Sequence, residues 1–111
     1  MIRKKWDVEE AIALMHVYFE YGGKITVDSE VLENLSRIMK KRANVLGFDV
    51  DESFRNVTGL DMQLACIHYV VTDGKEGLSN TSTLFYDTYE LYLKNPKIFS
   101  RIYDVFIEKY C

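Results

Sequence analysis

The sequence has few of the residues that build disulfide frameworks, flexible linkers or membrane spans. Among its 111 residues are two cysteines, one proline and six glycines. Cys66 and Cys111 show no CxxC spacing, which argues against a disulfide scaffold and favours a reducing compartment. No apolar run approaches the ~18 residues of a membrane span, and no apolar signal core follows the charged N-terminus. These absences predict one cytoplasmic domain over residues 1–111 that does not enter a membrane.

Groups suited to metal binding or catalysis are equally scarce. The two histidines, His16 and His68, stand alone in the sequence, so no metal site with several ligands is predicted. The glycine pair at 22–23 is not followed by the Lys-Ser/Thr of a phosphate-binding loop. The acidic stretch 49–52 lacks the glycine and the distant glutamate of a calcium loop. We therefore expect no cofactor, no metal and no enzymatic activity.

The chain also lacks the excess of positive charge that is typical of nucleic-acid-binding domains. Its net charge is −3 and its isoelectric point is about 5.4. The stretch 37–57 is an exception, because it holds five basic and three acidic residues. It includes a basic cluster on the polar face of a predicted helix, formed by Arg37, Lys40, Lys41 and Arg42. This cluster is either a phosphate-binding patch or a solvated helix face that Glu30 and Glu33 balance.

Apolar residues at helical spacing are abundant and fall in five segments. The predicted helices run from Asp7 to Tyr21, Ser29 to Leu46, Gly59 to Val71, Ser82 to Lys94 and Pro96 to Tyr110. The expected N-terminal caps of the first four are Asp7, Asp28, Thr58 and either Asn80 or Thr81. The third helix is apolar nearly all round, which predicts a central position. Short connections and the lack of an alternating strand pattern predict a single-domain, all-α bundle of about five helices.

Two segments form a recognisable signature. They read FRNVTGLDMQL at 54–64 and GKEGLSNTS at 74–82. They resemble the helical domain that precedes the HNH nuclease domain in bacterial modification-dependent restriction endonucleases. Trp6 before an acidic, apolar helix and the Lys-Asn-Pro at 94–96 are similar to that domain as well. The resemblance extends over about residues 5–95.

In that family the front domain is thought to recognise DNA, including methylated cytosine, while the HNH domain cuts it. The resemblance implies that Arg55 contacts phosphate and that Asn56 reaches a base edge. The chain departs from the family at Gln63, where the signature has lysine, and it contains no HNH nuclease domain. Together with the basic cluster, the predicted nucleic-acid-binding residues are Arg37, Lys40, Lys41, Arg42, Arg55, Asn56, Lys75, Ser79 and Asn80. The implied partners are double-stranded DNA and a partner nuclease or a second copy of the chain.

A purely structural interpretation of the signature stands beside the functional one. In it, Asn56 and Thr58 close the loop onto the third helix, while Phe54, Met62 and Leu64 belong to the core. The last helix is likewise expected to bury an apolar face formed by Ile98, Phe99, Ile102, Tyr103, Phe106 and Ile107. The alternative function is a protein-interaction or homo-oligomerisation domain without nucleic-acid binding. It is indicated by the many tyrosines, with Tyr86, Tyr92 and Tyr110 as candidates for exposed aromatic side chains.

Overall fold

Five α-helices make up most of residues 4–79 and 81–111, which are the residues that the computed structural model describes. The helices are α1 Val8–Glu20, α2 Ser29–Val45, α3 Val57–Val71, α4 Thr83–Lys94 and α5 Pro96–Tyr110. No strand occurs among the described residues. The predicted all-α class is confirmed, and four of the five helices begin and end within one residue of their predicted bounds. None of the helices in the described part is long and apolar enough to cross a membrane.

The central element is α1, which packs against each of the other four helices. Every residue from Glu10 to Met15 is buried, so this helix has neighbours on all sides. Its alanines, Ala11 and Ala13, let neighbouring helices approach closely on more than one face. The predicted central position of α3 is wrong, because Met62 on that helix is 55% exposed. Apolar character all round was therefore a poor guide to which helix lies in the middle.

The start of α3 differs from the prediction by two residues. Asn56, and not Thr58, is the N-cap, and its side-chain Oδ1 accepts a hydrogen bond from the backbone N–H of Gly59 at 2.8 Å. Thr58 lies inside the first turn of the helix. The preceding residue, Arg55, takes the positive φ of 49° that turns the chain into the helix. The predicted structural role of Asn56 in closing this loop is confirmed.

Several side chains differ from the burial that the sequence predicted. Ile98 was expected in the core but is 50% exposed. Tyr110 was expected at the surface but is buried, with its ring edge-on to that of Phe106. Tyr92 is half-buried and stacks on Phe19. Of the three tyrosines predicted to be exposed, only Tyr86 is, because the others lie where α5 and α4 close onto α1.

Candidate nucleic-acid interface

Arg55 of the signature is held inside the molecule. Its Nε donates to Oε2 of Glu10 at 2.8 Å, and its Nη2 donates to Oε1 of the same carboxylate at 3.2 Å. The guanidinium also lies over the rings of Trp6 and Phe54, 4.6 Å and 4.3 Å from their centroids. A planar cation suits such stacking and a bidentate carboxylate at the same time. The guanidinium N–H groups that were expected to contact phosphate are thus already bonded to Glu10 of α1.

Arg42 is also paired within the chain. Its Nη1 donates to Asp7 and its Nη2 donates to Glu9, both at 2.7 Å. The guanidinium lies about 6 Å from the ring centroids of Phe106 and Tyr110, and the residue is buried. The prediction that Arg42 lies on the solvated face of the second helix is therefore wrong. The C-terminal half of α2 turns this side chain towards α1 and α5.

Six charged residues form one continuous charge network at the N-terminal end of α1. The network consists of Lys4, Asp7, Glu9, Glu10, Arg42 and Arg55. Glu10 is its centre, since its carboxylate is 1% exposed and accepts from Arg55, from Lys4 and from the backbone N–H of Asp7. Three basic residues face three acidic residues, so the charges within the network balance. The sequence prediction that Asp7 and Glu10 form a capping box at this end is confirmed.

The charge network changes the acidity of Asp7. Burial raises the pKa of this carboxyl, but hydrogen bonds from Lys4, the Glu10 backbone and Arg42 outweigh it and lower the pKa below 3.8. A carboxylate whose pKa is lowered on folding stabilises the folded state above its unfolded pKa. That stabilisation is lost as the pH falls below 3.8 and through the folded pKa.

We expect Asp7→Asn to be about 1–2 kcal/mol less stable than the wild type at neutral pH. Asparagine keeps an N-cap oxygen but loses the negative charge that Lys4 and Arg42 contact. Urea unfolding of both proteins should show this difference shrinking as the pH falls from neutral through 3.8 and the lowered pKa of Asp7, because the carboxyl itself then becomes neutral. A difference that stays constant across this range would contradict the role of the ionised carboxylate.

Three adjoining depressions lie beside the charge network, and together we call them the groove. The first has a volume of about 340 Å³ and is lined by Glu33, Ser36, Arg37, Lys40, Asn56 and Val57. The second measures about 120 Å³ and is lined by Trp6, Ser53, Arg55, Asn56, Gly59 and Gln63. The third measures about 410 Å³ and is lined by Lys5, Trp6, Gln63 and the start of α4 from Thr81 to Phe85. The first two share Asn56 and the last two share Trp6 and Gln63, so the three lie side by side.

The residues that line the groove carry a net positive charge, although the net charge of the whole chain is −3. Its lining includes the bases Lys5, Arg37 and Lys40 beside the paired Arg55, against the single acid Glu33. The N-terminal ends of α3 and α4 also line it, and helix N-termini carry partial positive charge. The cap of α4, Ser82, makes no side-chain hydrogen bond to its helix. The groove is therefore suited to an extended anionic ligand.

The predicted binding residues are divided between several places. Arg37, Lys40 and Asn56 meet in the groove, while Lys41 is exposed on α2 outside its lining. Arg55 lines the groove, but its guanidinium is bonded to Glu10. The predicted residues Arg42, Lys75 and Ser79 are not among the lining residues, because the first is buried and the others lie in the exposed loop before α4. The predicted residue Asn80 lies outside the described residues.

Sequence reasoning missed part of the groove lining. Lys5, Ser53 and Thr83 come from three different segments and belong to no motif. Gln63 was noted only as a departure from the family signature, yet its side chain lies where two depressions meet. No pattern in the sequence could have joined these residues, because the packing of α3 and α4 around Trp6 brings them together.

The two histidines have structural neighbours. His16 stacks on Tyr103, with ring centroids 3.6 Å apart. His68 links Tyr18, whose hydroxyl lies 2.7 Å from Nδ1, to Glu76, whose carboxylate lies 2.9 Å from Nε2. Burial raises the pKa of Tyr18, so its hydroxyl stays protonated in this bond. Within residues 4–79 and 81–111, no three His, Cys, Asp or Glu side chains come together as a metal site.

No family model matches the chain, and neither the curated proteins nor the solved structures contain a match to it.

Proposed function

We propose that this chain is a non-catalytic DNA-binding module that contacts the phosphate backbone through the groove. The observation that carries the proposal is the meeting of Arg37 and Lys40 of α2 with Asn56 at the start of α3 in one depression. Lysine and arginine side chains supply most of the affinity of a protein for nucleic acid, because each phosphate that they neutralise releases counterions. Two helix N-termini at the same groove add backbone N–H donors that suit phosphate oxygens.

The signature residues contribute to this function by holding the groove in shape. Arg55 does not contact DNA phosphate in this proposal. Arg55 ties the loop before α3 to Glu10 and Trp6, and this loop positions Asn56. The Asn56 oxygen caps α3, which leaves its side-chain N–H groups as donors towards the groove. Gln63 offers a second amide a short distance along the same groove. The amide of the cap residue Asn56 and that of Gln63 on α3 are suited to the edges of nucleobases, while the basic side chains contact phosphate.

The test is fluorescence anisotropy with labelled duplex DNA, both unmodified and cytosine-methylated, over a series of salt concentrations. We expect saturable binding at low salt, with an affinity that weakens steeply as salt rises to a dissociation constant of about 10⁻⁴–10⁻⁶ M at physiological salt. The double variant Arg37→Glu/Lys40→Glu should bind at least roughly tenfold more weakly. The slope of log affinity against log salt should become shallower by about two, one for each lost phosphate contact.

The matched control is Lys24→Glu/Lys94→Glu, which changes the net charge by the same amount. Both lysines are exposed and lie at the far ends of α1 and α4 from the groove. This control should keep most of the affinity of the wild type. The groove is not the binding surface if both double variants weaken binding equally. Absence of saturable binding by the wild type to either duplex at low salt would overturn the proposed function.

Protein association without nucleic acid is the second candidate function. The observation that favours it is the exposure of Tyr86 and Leu93, two large side chains seven residues apart on α4. Exposed large apolar side chains on one helix face are typical of surfaces that bind another protein. The same titration separates the two functions, since this candidate predicts no salt-dependent binding to either duplex.

A further inference from the structure

The outer face of α5 carries an exposed apolar pair. Ile98 and Val105 are 50% and 46% exposed, and because they are seven residues apart they lie on one side of the helix. The adjoining side, about 100° round the helix, holds Phe99, Phe106 and Tyr110, which are buried against α1, α2 and α4. The buried side of α5 thus has its apolar contacts within the chain, while Ile98 and Val105 remain half exposed.

The charges beside this pair are arranged unfavourably for a helix on its own. Lys97 and Arg101 lie in the N-terminal half of α5, and Asp104 and Glu108 lie in the C-terminal half. This order opposes the helix dipole, which favours acids at the start and bases at the end. The two bases are four residues apart, as are the two acids, and like charges at this spacing repel. Only Lys109, which contacts the ring of Tyr110, follows the favourable order.

Nothing else in the described part of the chain neutralises these four charges. All four side chains are exposed, and no ion pair among residues 4–79 and 81–111 includes any of them. The exposed Glu90 and Lys94 on the neighbouring helix, by contrast, do pair with each other. A complementary surface outside the chain would remove the repulsion.

We propose that this face binds the same face of a second copy of the chain, with the two α5 helices antiparallel. Antiparallel pairing places the acidic half of each helix beside the basic half of the other. A single register, with the twofold axis near Ile102, then brings every group to a suitable partner. In this register Ile98 packs on Val105 of the second copy, Arg101 faces its Asp104, and Lys97 faces its Glu108.

The self-complementary pattern is what identifies the occupant as a second copy. A twofold interface uses the same surface on both subunits, so each of these contacts occurs twice. The flanking charges of antiparallel helices meet charges on the same flank of the partner, which are here of opposite sign. The apolar seam contains only two half-exposed residues per subunit, so the dimer is weak and dissociates on dilution.

The test is sedimentation equilibrium of the whole chain between about 1 µM and about 1 mM, a range that detects weak association. The wild type should form a dimer with increasing concentration. Arg101→Asp and Asp104→Arg should each weaken dimerisation at least tenfold, because each places like charges opposite one another. The double variant Arg101→Asp/Asp104→Arg restores opposite charges in the same register and should recover dimerisation.

The matched control is Lys94→Asp, which makes the same charge change as Arg101→Asp on the neighbouring helix and should leave dimerisation unchanged. Circular dichroism confirms that each variant is folded, as expected for exposed positions. A wild type that stays monomeric at the highest concentration overturns the proposal, and so does a double variant that fails to recover. None of these residues lines the groove, so failure here leaves the proposed DNA binding unaffected.

Discussion

Replacing Glu10 by glutamine is expected to lower the free energy of unfolding by about 3–5 kcal/mol. The carboxylate is 1% exposed and accepts hydrogen bonds from the side chains of both Lys4 and Arg55. Glutamine has nearly the same shape but no charge, so two bases would remain in a poorly solvated place with too few acids. Removing one member of a buried ionic group is costly because the remaining charge is uncompensated. Urea unfolding followed by circular dichroism measures the change.

Glu90→Gln is the matched control for Glu10→Gln. Glu90 also pairs with a lysine, Lys94, but both side chains are more than half exposed. Solvent and salt screen such a pair, so its loss should change stability by less than about 1 kcal/mol. If the two substitutions destabilise the protein equally, then the charge network is not what holds the N-terminal segment and the loop before α3 to α1.

Replacing Gly77 by alanine is expected to lower the free energy of unfolding by about 2–4 kcal/mol, the combined cost of overpacking and a left-handed backbone. A Cβ atom at this position would lie 2.3 Å from the carbonyl oxygen of Ala65 and 2.7 Å from the backbone N of Tyr69. Both contacts are with the backbone of α3, which cannot rotate away as a side chain could. The positive φ of 95° adds the strain of a left-handed conformation.

Gly47→Ala separates the two causes. Gly47 has nearly the same positive φ, 93°, but no atom lies within 4 Å of an added Cβ. This variant therefore carries only the conformational cost, about 1–2 kcal/mol. Thermal unfolding of both variants should show the larger loss for Gly77→Ala. Equal losses would mean that the loop does not need to lie so close to α3.

The loop lies so close to α3 at Gly77 that it explains the glycine at this position of the second signature segment. The backbone N–H of Leu78 donates to the carbonyl of Ala65 at 3.1 Å, which fixes the loop along α3. Glu76 in the same loop accepts from His68, and Thr72 bonds with the backbone of Glu76. The chain leaves this loop towards Ser82 and the start of α4, which line the groove. The segment thus contributes to the groove by directing α4.

Local physical chemistry made much of the helical framework predictable. Gly22 and Gly47 have positive φ directly after α1 and α2, where glycine was expected to end each helix. Pro96 opens α5 as predicted, since its missing N–H is not needed in the first turn. These features depend on neighbours within a few residues, and the sequence displays such neighbours directly. The start of α3 was misplaced because Asn56 and Thr58 are both good caps, and local preference did not choose between them.

The candidate site was less predictable, because the partners of its charges are distant in sequence. Arg42 and Arg55 belong to the most basic stretch of the chain, yet their carboxylate partners are 33 to 45 residues away on α1. A helix wheel places Arg42 on the polar face but does not reveal that α1 and α5 cover its end. Arg37 and Lys40 precede Arg42 on the same helix but line the groove, because α1 and α5 do not cover that side of α2.

By itself, the sequence determined the all-α class, the approximate helix bounds, the cap at Asp7 and the start of α5 at Pro96, because these follow from local periodicity and local backbone preferences. The tertiary structure alone decided which charges are buried and which stay at the surface. Long side chains such as that of Arg55 reach partners from any part of the chain, so their role depends on how the helices pack. The groove is a property of that packing as well, since its lining comes from α2, α3, α4 and the segment before α1.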